Sequence, residues 1–200
     1  MTGPLDASIV LTGASAAGKT TLHCCLTIEH SLMPSPIHTT RDIRAGELPG
    51  IDAVFVTERE YLENSIAGRY IESSPEDGYF GGAYYGCPKD WVKQTLLEDY
   101  NCYVCPTVRI ARILKQRLGR KIVWLHLVAS ERIRLHRLKK RNPEMPAERI
   151  GQRIAAGGRR LDLRLCDATI DTSFLQPRDI LLRANFSLIR HKGIPECVES

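Results

Sequence analysis

The segment IVLTGASAAGKTTL, residues 9–22, constrains the fold of this 200-residue chain more than any other. Its apolar, β-branched start predicts a strand, and the amphipathic stretch after Lys19 predicts a helix that runs to about Glu29. Between them, Gly13, Gly18, Lys19 and Thr20 form the pattern G-x-x-x-x-G-K-[ST]. A strand, a glycine-rich turn and a helix in this order predict a loop that wraps the phosphates of a nucleotide.

Each part of this loop has a physical task. The two glycines and the small residues between them let backbone N–H groups surround a β-phosphate, while the helix points its positive end at the anion. Lys19 adds a charge that spans the β- and γ-oxygens, and the Thr20 hydroxyl can bind Mg²⁺. The predicted donor site consists of Gly13, Ala14, Ser15, Ala16, Ala17, Gly18, Lys19, Thr20 and Thr21.

The rest of the chain alternates strand-like and helix-like segments. Short strands are predicted at Ala53–Thr57, Gly68–Glu72, Cys102–Cys105, 121–128 and Ala168–Ile170. Helices are predicted at 88–98, at about 108–117, at Ser130–Arg141, from near Ala147, and after residue 171. This alternation predicts an α/β fold in which helices cover both faces of a parallel sheet, within one domain.

Composition argues against a membrane span and against a zinc site. No apolar run approaches the roughly 18 residues needed to cross a bilayer, and the start MTGPLDAS lacks the features of a signal peptide. We therefore expect a cytoplasmic protein. The seven cysteines are scattered, and only Cys102 and Cys105 have C-x-x-C spacing. On a strand these two side chains would point to opposite faces, which favours reduced, partly buried thiols.

Positive charge is concentrated in one region. Residues 109–164 hold 17 Lys or Arg against 4 Asp or Glu, whereas the whole chain has a net charge of +5. These basic residues are interleaved with Ile and Leu at helical spacing, as in RIARILKQRL, and no aromatic platform accompanies them. We interpret them as solvated helix faces from which some arginines reach a phosphate, and we expect no nucleic-acid partner.

Further segments resemble the guanylate kinase family. They are TTRDIRAGELPGIDAVFV (39–56), YIES (70–73), YYG (84–86), RLKKR (137–141) and ERIGQRIAA (148–156). The resemblance spans about residues 8 to 170 and implies a P-loop kinase with a five-stranded parallel sheet. It also implies a core at 8–36 and 101–190, an acceptor-binding insertion at about 37–100 and a lid at about 141–158, all within a single domain of residues 1–200.

The resemblance implies transfer of the γ-phosphoryl group of ATP, with Mg²⁺, to a small phosphorylated acceptor, most closely a nucleoside monophosphate. Arg41 and Arg44 would bind the acceptor phosphate, because guanidiniums three residues apart can both reach one phosphate. Tyr85 would add a hydroxyl, and Glu72 would contact the base. The implied catalytic residues are Lys19, Arg41, Arg137, Arg141 and Arg153. A surface ion pair is the alternative interpretation of Arg137.

Several positions depart from the family pattern. Ile37 and Cys87 replace hydroxyl side chains that recognise guanine, and Ala53 replaces a phosphate-binding tyrosine. The sequence Cys105–Pro106–Thr107 replaces an acidic D-x-D that lies near Mg²⁺. Other carboxylates considered for that position are Asp77 and Asp99.

Three functions therefore remain open at the level of sequence. The first is a nucleoside monophosphate kinase of the guanylate kinase type, with an altered base preference. The second is a sugar-phosphate kinase similar to ribose 1,5-bisphosphate phosphokinases, which the TTRD and YYG segments also fit. The third is a non-catalytic guanylate-kinase-like binding module, against which the intact Gly13–Thr20 loop argues.

Overall fold

The computed structural model describes residues 7–34, 36–44, 46–71, 78–80, 82–90, 93, 101–105, 107–156 and 162–192. Nine strands are assigned in this part of the chain: β1 Ser8–Gly13, β2 Met33–Pro34, β3 His38–Thr39, β4 Val54–Phe55, β5 Tyr79–Phe80, β6 Ala83–Gly86, β7 Asn101–Val104, β8 Ile122–Val128 and β9 Ala168–Asp171. The main helices are α1 Lys19–His30, α2 Glu58–Ile66, α3 Val108–Leu118, α4 Glu131–Arg141, α5 Ala147–Ala156 and α6 Pro177–Lys192.

The main sheet is a five-stranded parallel sheet with the order β2–β7–β1–β8–β9. Strand β1 lies at its centre and pairs with β7 on one side and with β8 on the other. Strand β8 is buried on both faces over nearly its whole length, which explains why the segment Ile122–Val128 is almost wholly apolar. The predicted α/β fold with a parallel sheet is therefore confirmed.

Helices cover both faces of this sheet. On one face, α1 and α6 pack through Leu22, Leu26 and Leu188, and on the other face α3 packs through Leu114 against Trp124. Cys102 belongs to the first core, and Cys105, just after β7, belongs to the second. The expectation that these two thiols point to opposite faces is thus met, and the six cysteines in the described part of the chain are thiols rather than disulfides.

A second, smaller sheet lies within the predicted insertion and has the order β4–β3–β6–β5. It packs against α2 through stacked tyrosines, since the Tyr61 ring lies 5.1 Å from Tyr70 and 4.8 Å from Tyr84 between ring centroids. Helix α2 begins with a capping box, in which the side chains of Thr57 and Glu60 each bind the other residue's backbone N–H.

Two local predictions need comment. The short strand predicted at Gly68–Glu72 is wrong over its described residues, because the chain leaves α2 through Gly68 and only Tyr70 makes an isolated bridge, with Pro88. The predicted helix at 88–98 lies mostly outside the described residues. The predicted boundaries of the insertion and the lid stay predictions.

The turn between β1 and α1 depends on Gly13. Its φ is +147°, and a Cβ at this position would collide with the backbone oxygen of Leu127 on β8. Gly18, at the start of α1, has a φ of +98°. The first glycine therefore lets the phosphate loop leave the sheet while the loop stays in contact with the neighbouring strand.

We expect Gly13→Ala to lower the free energy of unfolding by about 2–4 kcal/mol, because it combines unfavourable φ with a backbone collision. Thermal and urea unfolding would measure the change. The control is Gly50→Ala, where φ is +81° but no atom lies within 4 Å of the added Cβ, so only the conformational cost of about 1 kcal/mol applies. Equal losses in the two variants would contradict the proposed collision.

Candidate active site

A cleft of about 460 Å³ lies at the carboxyl ends of β1 and β7, between the core and the small sheet. This is the edge at which open parallel sheets bind ligands. The cleft brings the predicted donor, acceptor and lid residues together. Its lining includes Gly13, Ser15, Ala16, Gly18, Lys19, Thr20, Thr21, Arg41, Arg44, Tyr85, Arg137 and Arg141.

Lys19 lies at the first position of α1, directly under the phosphate loop. Its Nζ donates hydrogen bonds to the backbone oxygens of Gly13, at 2.6 Å, and Ala14, at 3.0 Å. Burial and the nearby positive charges of Arg44 and Arg141 lower its pKa from 10.5 to about 8. The ammonium therefore lies in a positive field, which a bound polyphosphate would relieve.

Arg137 holds the phosphate loop from α4. Its guanidinium donates to Ala16 O at 3.2 Å and to the hydroxyl and backbone oxygen of Thr172, at 3.1 and 2.7 Å. Thr172, buried just after β9, in turn donates to Ala17 O at 2.9 Å. The alternative of a surface ion pair does not describe Arg137, because the hydrogen bonds of its guanidinium go to Ala16 and Thr172 rather than to carboxylates.

Thr172 was not predicted from the sequence. The available signal was its position immediately after a predicted strand, which places a side chain at the ligand-binding edge of a parallel sheet. Its hydroxyl also donates to Val128 O at 3.2 Å, so one threonine connects β8, β9 and the loop.

On the acceptor side, Glu47 binds both predicted phosphate-binding arginines. The two Nη atoms of Arg41 donate to its carboxylate at 2.7 and 2.8 Å, and the Arg44 backbone N–H donates at 2.9 Å. The Arg44 guanidinium lies farther away, at 3.6 Å. In this conformation a carboxylate occupies the fork of Arg41, and the binding of one phosphate by both guanidiniums stays a prediction.

The charges of this group shift one another's pKa. Burial and the like charges of Arg41 and Arg141 lower the pKa of Arg44 to about 10. Burial opposes ionisation of Glu47, but hydrogen bonds from Arg41 and from the Arg44 amide outweigh it and hold the pKa of Glu47 below its usual value. Glu47, which the sequence analysis did not single out, is therefore ionised at neutral pH.

Of the remaining predicted residues, Tyr85 and Arg141 line the same cleft. Tyr85 is on β6, opposite Thr39 of β3. Arg141 ends α4 at the rim. Arg153 is on α5, and burial lowers its pKa, as do the positive charges of Arg149, Arg141 and Arg41. Glu72 falls outside the described residues.

The positions that depart from the family pattern have mostly structural contacts here. Ile37 and Ala53 line the cleft, whereas Cys87 is buried. Cys105 is buried in the core, and the Thr107 hydroxyl caps α3 by accepting from Ile110 N at 3.2 Å. Pro106, Asp77 and Asp99 fall outside the described residues.

Metal-binding groups are sparse in the described part of the cleft. Within the described residues, no group of three or more His, Cys, Asp or Glu side chains is suitably placed to hold a metal ion. Asp52 lines the cleft, and its Oδ2 accepts from Leu48 N at 2.8 Å.

A phosphate loop at the end of the central strand, in one cleft with arginines of the loop that follows β3, defines a P-loop kinase. Comparison with known proteins agrees and is more specific, since the guanylate kinase family model matches residues 6–171. The chain belongs to the guanylate kinase family.

Individual relatives support this assignment. The chain is 30% identical over 194 residues to the guanylate kinase of Wolbachia pipientis wMel, covering 92% of this chain and 93% of that protein. It is 36% identical over 159 residues to the human guanylate kinase, covering 78% and 77%. The crystal structure of guanylate kinase from Anaplasma phagocytophilum matches with a TM-score of 0.66 at 18% identity, covering 96% of this chain and 89% of that one.

The predicted activity class, ATP-dependent transfer of a phosphoryl group to a phosphate of a small acceptor, is thus confirmed at the level of the family. Neither alternative, a sugar-phosphate kinase or a binding module, is favoured. A gluconokinase from Sinorhizobium meliloti 1021 also matches, with a TM-score of 0.53 at 16% identity and coverage of 94% of each chain, which reflects the shared fold alone. In the described residues, none of the helices is both long and apolar enough to span a membrane.

The pKa of Lys19 makes a prediction for the pH dependence of ATP binding. Below about pH 8 Lys19 is charged in the free protein, and above it the ammonium loses its proton. Because a polyphosphate stabilises the charged form, binding raises this pKa, so ATP affinity should fall by up to about tenfold per pH unit above pH 8. Titration with a fluorescent ATP analogue from pH 7 to 9.5 would measure it.

Lys19→Met serves as the comparison. It should bind ATP more weakly at pH 7 and lose the dependence on pH between 8 and 9.5. An affinity of the wild-type protein that stays constant to pH 9.5 would contradict the lowered pKa.

Proposed function

We propose that this protein phosphorylates nucleoside monophosphates with ATP, and that GMP is a substrate. The observation that carries the proposal is the placement of Lys19 and of Arg41 and Arg44 on opposite walls of one cleft. Phosphoryl transfer requires two anions to be held in line with their repulsion screened, and this cleft has cations on both sides. The names of the relatives, guanylate kinases, support GMP as the acceptor.

In the proposed reaction, the loop amides and Lys19 bind the β- and γ-phosphates of ATP. Arg44, Arg41 and Tyr85 bind the acceptor phosphate. An oxygen of that phosphate attacks the γ-phosphorus, the bond to the β–γ bridging oxygen breaks, and ADP leaves with the electron pair. No protein side chain acts as nucleophile. Arg141 and Arg153 stabilise the charge on the transferring group.

Mg²⁺ is part of this proposal. When bound, it would screen the negative charge of the donor phosphates during transfer. Thr20 is exposed in the cleft at the second position of α1, so its hydroxyl would be available as one ligand of the metal. Phosphate oxygens and waters would supply the other ligands. The end of β7 offers no described carboxylate. Asp52 lines the cleft, and its carboxylate would be available to a bound Mg²⁺.

Base recognition should be less stringent than a fully hydrogen-bonding guanine site would give. Ile37 lines the cleft where the family has a hydroxyl, and Cys87 is a buried thiol where the family has another. Loss of specific donors and acceptors removes discrimination that can amount to several orders of magnitude. We expect a cytoplasmic enzyme, because its proposed substrates are metabolites of that compartment.

A panel of acceptors tests the activity. With ATP and Mg²⁺, we expect turnover of GMP and dGMP, and kcat/KM for other nucleoside monophosphates within about 100-fold of GMP because the base is held by few polar contacts. Release of ADP, measured in a coupled assay, gives the rates, and ribose 1,5-bisphosphate is the comparison acceptor. Turnover of the sugar bisphosphate alone would overturn the proposal.

Arg44→Ala tests the division of the cleft into two sites. We expect the KM for GMP to rise by about 100-fold or more, because a charge-assisted contact to a partly buried phosphate is lost, while the Kd for ATP changes less than about twofold. The control is Arg69→Ala, an exposed arginine of the same insertion whose guanidinium binds Asn64. If Arg44→Ala weakened the binding of ATP as much as that of GMP, Arg44 would not belong to the acceptor site alone and the proposed division would be wrong.

A further inference from the structure

The charge of the acceptor site is set by three side chains of one loop. Arg41 and Arg44 contribute two positive charges, and the ionised Glu47 between them contributes one negative charge. We call these three residues the acceptor clamp. The side chains of Arg41 and Glu47 are only 16% and 18% exposed, so their pairing is poorly screened by water.

The two arginines of the clamp are not equivalent. Both Nη atoms of Arg41 donate hydrogen bonds to Glu47, and one of them also donates to Asp42 O, at 2.9 Å. The Arg41 guanidinium lies 5.2 Å from the centre of the Phe55 ring. Arg44 has the more exposed side chain, at 32%, and its guanidinium contact with Glu47 is the longer one. Arg44 is therefore the member of the clamp best able to bind a phosphate directly.

The reaction changes the charge that this clamp must hold. A nucleoside monophosphate carries about two negative charges at neutral pH, and the diphosphate product carries about three. Every cation around the cleft, including Lys19, Arg141 and Arg153, attracts the product more strongly than the acceptor. Within the described part of the clamp, Glu47 is the group that acts in the opposite direction.

We propose that Glu47 is a specificity-determining residue that makes the acceptor clamp prefer a monophosphate to a diphosphate, and so favours release of the product. It does so by neutralising one of the two arginines while holding Arg41 in place. This inference rests on the proposed function for its substrates. The prediction that follows concerns a ratio of affinities, which a merely structural role of Glu47 would leave unchanged.

The test is Glu47→Gln, which keeps the size and a hydrogen-bond acceptor but removes the charge. We expect the ratio of the inhibition constant of GDP, measured against GMP, to the KM for GMP to fall by about three- to tenfold, since one additional product charge loses a repulsive neighbour. The matched control is Glu63→Gln on α2, whose exposed carboxylate pairs with Arg59 at 3.7 Å and should leave the ratio unchanged.

Glu47→Asp separates charge from geometry. It keeps the negative charge on a shorter side chain, so both constants should rise while their ratio stays near the wild-type value. If Glu47→Gln raises both constants together and leaves their ratio unchanged, Glu47 only positions Arg41, and the proposal is wrong. If Glu47→Gln does not fold, Glu47→Asp still tests the proposal. A fall of the ratio in Glu47→Asp, which keeps the charge, would contradict a charge effect.

A second measurement distinguishes this inference from the proposed function. If the wild-type protein phosphorylates no nucleoside monophosphate, the function fails, but the clamp can still be tested with inorganic phosphate and pyrophosphate. Calorimetric titration with ADP saturating the donor site should then show that Glu47→Gln increases the preference for pyrophosphate over phosphate. An unchanged preference would overturn the inference by itself.

Discussion

The concentration of positive charge beside the phosphate loop is the constraint on which the rest of this structure depends. Arg44 and Arg141 both disfavour the charged form of Lys19, and Arg141 also disfavours that of Arg44. Burial, together with these charges, lowers the Lys19 pKa from 10.5 to about 8, which corresponds to about 3 kcal/mol of destabilisation of its charged form. A bound polyphosphate stabilises the charged form of Lys19. Part of the binding free energy of the donor therefore comes from removing a destabilisation that is present in the free protein.

Neutral contacts fix the phosphate loop in addition to those of Lys19 and Arg137. The Gly13 backbone lies against β8, and Thr172 holds the Ala17 carbonyl from the end of β9. Behind the loop, the Thr12 hydroxyl accepts from Trp124 Nε1 at 2.7 Å and lies 2.8 Å from His126 Nδ1. These buried bonds connect β1 to β8, so the strand that carries the loop is held by side chains as well as by the sheet.

The local parts of this architecture could be predicted from the sequence, and the long-range contacts could not. The pattern Gly13–Thr20 encodes a strand, a turn and a helix within a few residues, so both the fold class and the donor loop followed from it. The contact between Arg137 and Thr172 joins residues 35 positions apart in the chain, and no periodicity indicates it. Glu47 was missed for a different reason. It lies only six residues from Arg41, but the loop between them has no helical or strand periodicity, so the sequence does not show whether the carboxylate points at the arginines or at water.

The changed residues at the end of β7 follow the same logic. The side chains that could have carried an acidic pair near the phosphates instead serve the fold, since Cys105 fills the core against α3 and Thr107 caps that helix. The carboxylates that line the cleft, Glu47 and Asp52, both belong to the predicted insertion, whereas Lys19, Arg137 and Arg141 belong to the core and α4. In the described part of the cleft, the negative charge therefore comes from the predicted insertion and the positive charge beside the phosphate loop comes from α1 and α4. A ligand that brings its own phosphates would compete with those carboxylates for the cations of the cleft.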